Sequence, residues 1–221
     1  MGRRSSTGIV VLILVAACTS ASTTSDHNSP SSTRATLLET NGYVLLCGGA
    51  SCDVPSRGVP SMLWRPLSLP TLAPGATCPV AAARLVSNSF GPAVGDGPVF
   101  AVGLAAKAVF RFEYPPSKRS IFYGSEWGGN KVLWIGDPSY AGPVLVRGAQ
   151  LDGPHLVGFS VGGGSAAYAN LQFPPGKQQG DHGWRSWPSE TRLQASGCYA
   201  YQVDGTTFSE VIVFRAIATD P

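Results

Sequence analysis

Two groups of side chains have the types and spacing for catalysis, and a third for ligand binding. Gly158-Phe159-Ser160-Val161-Gly162 is a G-x-S-x-G run. Serine there is an acyl-transfer nucleophile when a strand precedes it, a helix follows it, and an acid and a histidine complete a triad. Gly162-Gly163-Gly164-Ser165 follows instead, a poor helix start. The only acid and histidine on offer, Asp181 and His182, are adjacent and face apart if they lie in a strand. A glycine-rich loop is therefore preferred to a serine hydrolase at Ser160. Glu126 and Asp137 form the second group, a carboxylate pair of the kind that cleaves glycosides. With 13 acidic residues in the chain some pair always looks suggestive, and Glu126 fits a Gly-rich turn, Gly124 to Gly129. The third group is Trp127, Trp184 and Trp187, read as loop residues. Loop tryptophans stack on sugars or grip a peptide, or they plug the ends of a β-sandwich. Trp134 lies inside a strand-like run and is assigned to the core.

None of these groups makes a persuasive catalytic set, so a non-catalytic protein without cofactor or metal is expected. Charge narrows the classes further. The chain carries 16 Lys+Arg against 13 Asp+Glu, and its longest basic runs are pairs, Arg3-Arg4 and Lys118-Arg119. Nucleic-acid binding needs a basic footprint that is not visible here.

The elements that must hold these residues are read from the N-terminus onward. Ile9 to Ala17 is an apolar run behind Arg3 and Arg4. At ~1.5 Å per residue it makes about 13 Å of helix, too short to cross a bilayer core of ~30 Å. A positive start, a short apolar core and small terminal residues read as an export signal. Val15-Ala16-Ala17-Cys18 resembles the lipobox of bacterial lipoproteins. That resemblance implies cleavage after residue 17, a diacylglyceryl group on Cys18, and attachment to the extracytoplasmic face of the cell membrane. An ordinary signal peptide with an incidental cysteine is the plainer alternative.

Residues 18–36 read as a tether. Eleven of the eighteen residues from Thr19 to Thr36 are Ser or Thr and none is large and apolar. Such a stretch cannot offset the entropy of ordering, and its root-mean-square reach is roughly 25 Å. Residues 37–77 hold prolines at 55, 60, 66, 70 and 74. Proline removes a backbone donor and disfavours helix and central strand. The expectation is an extended segment packed on the main domain through Met62, Leu63, Trp64, Leu67, Leu69 and Leu72.

Residues 78–221 read as an all-β domain. Gly and Pro together make 45 of 221 residues and only 13% of the chain is charged, which fits many turns and an exported β-protein. From Ala106 to Tyr114 the residues alternate, with Ala106, Ala108, Phe110, Phe112 and Tyr114 on one face and Lys107, Val109, Arg111 and Glu113 on the other. Further strands are expected at Pro98 to Val102, Lys131 to Ile135, Pro143 to Arg147, His155 to Ser160 and Tyr168 to Phe173. Cys198 to Val203 and Thr207 to Arg215 flank Asp204-Gly205, a hairpin signal.

Gly197-Cys198-Tyr199 at the start of a strand resembles the tyrosine corner of immunoglobulin-like sandwiches. The resemblance implies an Ig-like β-sandwich with Tyr199 at the corner. Tyr201 then stands where antibody domains place their second core cysteine. Cys78-Pro79-Val80, Gly95 to Phe100, Gly148 to Pro154 and Gly197-Cys198-Tyr199 together resemble a group of uncharacterised exported bacterial proteins, which implies architecture and no activity.

If Cys18 carries lipid, Cys47, Cys52, Cys78 and Cys198 remain for an oxidising compartment. Three pairings are open, with Cys47–Cys52 and Cys78–Cys198 favoured. A metal site at Cys47 and Cys52 lacks a second pair and a suitable histidine. The function expected is binding or interaction at the cell envelope, with a polysaccharide or a protein as partner.

Overall fold

The computed structural model describes residues 36–40, 43–47, 59–163, 166–176 and 181–221. The leader, Cys18, nearly all of the tether and Cys52 lie outside them, as does the Cys47–Cys52 pairing. The described residues belong to one unit, Arg34–Pro221, and form an all-β sandwich.

The first layer contains β3 (Ala83–Leu85), β4 (Pro92–Val94), β5 (Val99–Val102), β7 (Gly128–Gly136), β12 (Arg185–Leu193), β9 (Gly158–Ser160) and β10 (Ala167–Tyr168), neighbours in that order. A hairpin of β1 (Thr36–Thr40) and β2 (Tyr43–Cys47) extends it beyond β10. The second layer contains β6 (Val109–Glu113), β14 (Ser209–Thr219), β13 (Gly197–Gly205), β8 (Val144–Gln150) and β11 (Leu171–Phe173). The layers are joined where Glu113 of β6 pairs with Gly129 of β7.

Strand order identifies the type. The run β9-β12-β7-β5 is the D-E-B-A order of an Ig-like sandwich, and β8-β13-β14 is its C-F-G order. The chain changes layer between β5, antiparallel to β7, and β6, parallel to β14. β6 starts later than the alternation suggests, because Ala105 to Ala108 form a tight turn in which Ala108 has φ 48. Phe110 and Phe112 still face the core and Arg111 faces water.

The centre of the core replaces the disulfide of antibody domains with rings. Trp134 on β7 meets Tyr201 on β13 edge to face, with ring centroids 5.1 Å apart. Tyr201 also stacks on Phe214 at 4.4 Å, and its hydroxyl lies 2.8 Å from Thr191 Oγ1. Such an aromatic pair contributes about 0.5–1.5 kcal/mol beyond its area burial. The corner is present as well, since Tyr199 Oη donates to the Ala195 carbonyl at 2.9 Å.

Three expectations are corrected. Trp187 lies in β12, paired with Trp134, and not in a loop. Pro188 conceals that strand in the sequence. It is tolerated because β9 covers only Glu190 to Arg192, so no second neighbour needs a donor at Pro188. Asp204 is a fully buried strand residue paired with Ser209, and the turn is Gly205 to Phe208. Met62 and Leu67 do not pack on the domain and remain 63% and 42% exposed. The short 3-10 turn at Ser61–Leu63 sends Leu63 inward and Met62 outward.

The segment from Val59 to Ala81 runs over the outer face of β13. Leu69, Leu72 and Cys78 pack on Cys198, Ala200 and Val213. Gln202 accepts from the Ser68 amide at 2.6 Å and donates to the Pro66 carbonyl at 3.1 Å. Asp204 takes Arg65 at 3.2 Å and Arg147 at 2.7 Å. A disulfide joins Cys78 to Cys198, with Cα atoms 5.4 Å apart. It ties this segment to β13 and leaves the sandwich core to the aromatic rings.

Candidate functional site

The G-x-S-x-G run becomes the end of β9 and the bend after it. Ser160 closes the strand, Gly162 and Gly163 take φ of 79 and 71, and the next described strand is β10. Ser160 is 2% exposed. Its hydroxyl donates to Glu190 Oε2 at 3.0 Å and accepts from the Arg192 guanidinium at 3.3 Å. Strand pairing creates this cluster: Ser160 lies opposite Glu190 in register. Ser160, Glu190 and Arg192 thus share the outer face of the first layer.

Arg192 is fully buried. Burial pushes its guanidinium down to about 10, against the opposing pull of Glu190, so it stays cationic at neutral pH. It donates to Trp127 O at 2.8 Å and Ser125 Oγ at 2.9 Å, and Phe122 lies over it at 3.9 Å. A buried cation is tolerated only when paired and hydrogen-bonded. Here those bonds fasten the loop of residues 114–127 to the sheet. The hydroxyl of Ser160 is held between a carboxylate and a guanidinium. His182 is exposed, in a short turn before β12.

Beside the cluster is a groove of ≈ 530 Å³. Leu133 and Pro188 line it, with Lys131 and Glu190 as its charged groups and Ile121 and Val161 as apolar walls. Ile121 is 60% and Val161 61% exposed. Tyr123, two residues beyond Ile121, is 57% exposed. The sequence reading did not single out Ile121, Tyr123, Glu190 or Arg192. The one local signal was the apolar run Ile121-Phe122-Tyr123 between Pro116 and Gly124.

The tryptophans have different surroundings. Trp127 is 5% exposed and packs on Ala167. The Trp187 ring stacks on Phe173 at 4.5 Å and carries the Arg185 guanidinium at 4.4 Å. Trp184 packs against Phe90 and Phe100, with centroids 6.1 Å away in each case. The three are spread along the fold: Trp127 precedes β7, Trp187 is level with Trp134 in β7, and Trp184 precedes β12. Glu126 and Asp137 flank β7, a nine-residue strand, roughly 30 Å long. Glycosidase carboxylates stand ~5–9.5 Å apart, so these two do not form such a pair. The Asp137 carboxylate instead accepts from Ser139 Oγ at 2.6 Å within its own turn. Among the described residues no group of three His, Cys, Asp or Glu side chains is arranged to hold a metal.

No protein-family model, curated protein or solved structure matches the chain.

Proposed function

We propose that the protein is a lipid-anchored protein of the extracytoplasmic membrane face whose Ig-like sandwich serves in binding or interaction and not in catalysis. The observation that carries the non-catalytic reading is the state of Ser160. It is buried, and its hydroxyl is committed to Glu190 and Arg192, while the adjacent groove with Ile121 and Val161 stays open. A nucleophile must reach its substrate and have its proton taken by a base. This serine is enclosed and bridges two charges.

The Cys78–Cys198 disulfide supports the location, since such bonds persist in oxidising compartments. Cys18 after its short apolar core supports the anchor. Two acyl chains give durable attachment where one does not.

The test has two readouts on the native chain. Labelled palmitate is expected in the native protein and absent from Cys18→Ser. A fluorophosphonate is expected to leave Ser160 unlabelled in folded protein. An unlipidated Cys18 removes the anchor, and stoichiometric labelling of Ser160 removes the non-catalytic reading.

A further inference from the structure

The loop of residues 114–127 joins a basic pair to an apolar tip. Its polar part carries Lys118 and Arg119, both exposed, and its tip carries exposed Ile121 and Tyr123. Phe122 between them is buried over Arg192, which fixes the tip on the sheet. Successive turns reinforce it: Ser120 donates to Ser117 O at 3.0 Å and Tyr123 to Ser120 O at 3.1 Å. Glu113 Oε1 accepts from the Ser117 amide at 3.1 Å. The apolar side chains are therefore held outward without the ordering cost of a loose loop.

The sequence around this loop carries a basic excess. Residues 104–131 contain Lys107, Arg111, Lys118, Arg119 and Lys131 against Glu113 and Glu126, a balance of +3. From Cys18 onward the chain has 14 basic and 13 acidic residues, so the remainder is at −2. Glu190, beside Lys131 in the groove, is buried and bonded to Ser160. Val161 and Gly163 stand next to Ile121 and bring no charge.

Strand register places the start of β1. Thr36 lies opposite Cys47 and Leu46 opposite Ala167. Phe159 lies opposite Tyr168, so the start of β1 stands at the same end of the layer as the turn after Ser160. β2 and β10 lie between β1 and β9, so Thr36 and the turn at Val161 share that end of the layer about 14 Å apart.

We infer that this surface, formed by Lys118, Arg119, Ile121, Tyr123, Val161 and Lys131, docks on the anionic headgroups of the membrane that anchors the chain. The inference rests on the lipid-anchor reading. On that reading residues 18–36, as a flexible tether, would hold the domain within roughly 25 Å of the bilayer. Basic side chains are drawn to anionic lipid over about a Debye length. Tyr123 is a residue type favoured at the headgroup level, and Ile121 and Val161 are apolar enough to enter it.

The test is hydrogen exchange on the full-length lipidated protein in two kinds of vesicle, phosphatidylcholine alone and phosphatidylcholine with phosphatidylglycerol. Amides 117–124 are expected to exchange more slowly on the anionic vesicles only, with the protection lost in high salt. Lys118→Gln with Arg119→Gln should lower the docking equilibrium constant on the order of 30-fold. Ile121→Ser, a second exposed change, should lower it with both charges kept. Equal exchange on the two membranes overturns the docking, as does protection that survives both variants, which would point to a protein contact. The intact mass of the N-terminal peptide in the same sample shows whether Cys18 carries lipid. Failure of the anchor is thereby read separately from failure of the docking.

Discussion

Glu210 offers a titration whose size and sign follow from its surroundings. It lies at the start of β14, where Oε2 accepts from the Asp96 amide at 2.8 Å and the Gly97 amide at 3.1 Å. The turn it holds needs glycine, with φ of 130 at Gly95 and 94 at Gly97. Oε1 is buried with no hydrogen-bond partner among the described residues. Burial pushes the carboxyl up to about 7 from its ordinary 4.5. The two amides lower it, the Asp96 charge raises it, and Arg84 lowers it. Arg84 itself donates to the Asp96 carbonyl at 2.6 Å. A carboxyl that holds its proton more tightly when folded favours the folded state fully below pH ~4.5. That contribution is lost as pH rises through about 7. The span from 4.5 to about 7, at ~1.4 kcal/mol per pH unit, corresponds to about 3 kcal/mol. Glu210→Gln keeps an oxygen for the two amides and removes the titration. Urea denaturation of both proteins with the disulfide intact, from pH 4.5 to 8, is the assay. The stability difference, native minus variant, is expected to fall by about 3 kcal/mol across that range. Parallel pH curves for the two proteins would refute the reasoning.

Two further perturbations test what holds the segment and the core. Asp204→Ala leaves Arg147 and Arg65 facing a sheet without their anion. Chemical denaturation should show a loss of about 3–5 kcal/mol, with new proteolytic cleavage between residues 59 and 77. A variant that matches the native protein in both would show that the ion pairs are dispensable. Tyr201→Phe deprives Thr191 Oγ1 of its partner in the core. The cost should be about 1–3 kcal/mol, read as a shifted urea midpoint with unchanged slope, and no shift would remove that bond from the account.

Local pattern is what the sequence by itself carried. Phe110 and Phe112 face the core because strand side chains alternate, and that alternation is visible in any window of nine residues. Tyr199 is bonded to Ala195, four residues away, so the corner is a short-range device and can be read from a short motif. Cys78 and Cys198 were legible as a pair only because few cysteines compete.

Partners distant in sequence were settled by the tertiary structure. Asp-Gly announces a turn, yet Asp204 is drawn into the sheet by Arg65 and Arg147, 139 and 57 residues upstream. Pro188 reads as a strand breaker, and whether a neighbour needs its missing donor depends on where β9 stops. Ser160 sits in a G-x-S-x-G run in one dimension. Register decides its surroundings, by setting it against Glu190 and beside Arg192, 30 and 32 residues away. Alternation and short bonded motifs are properties of contiguous chain. The environment of a buried charge or hydroxyl is a property of whichever strands pack around it.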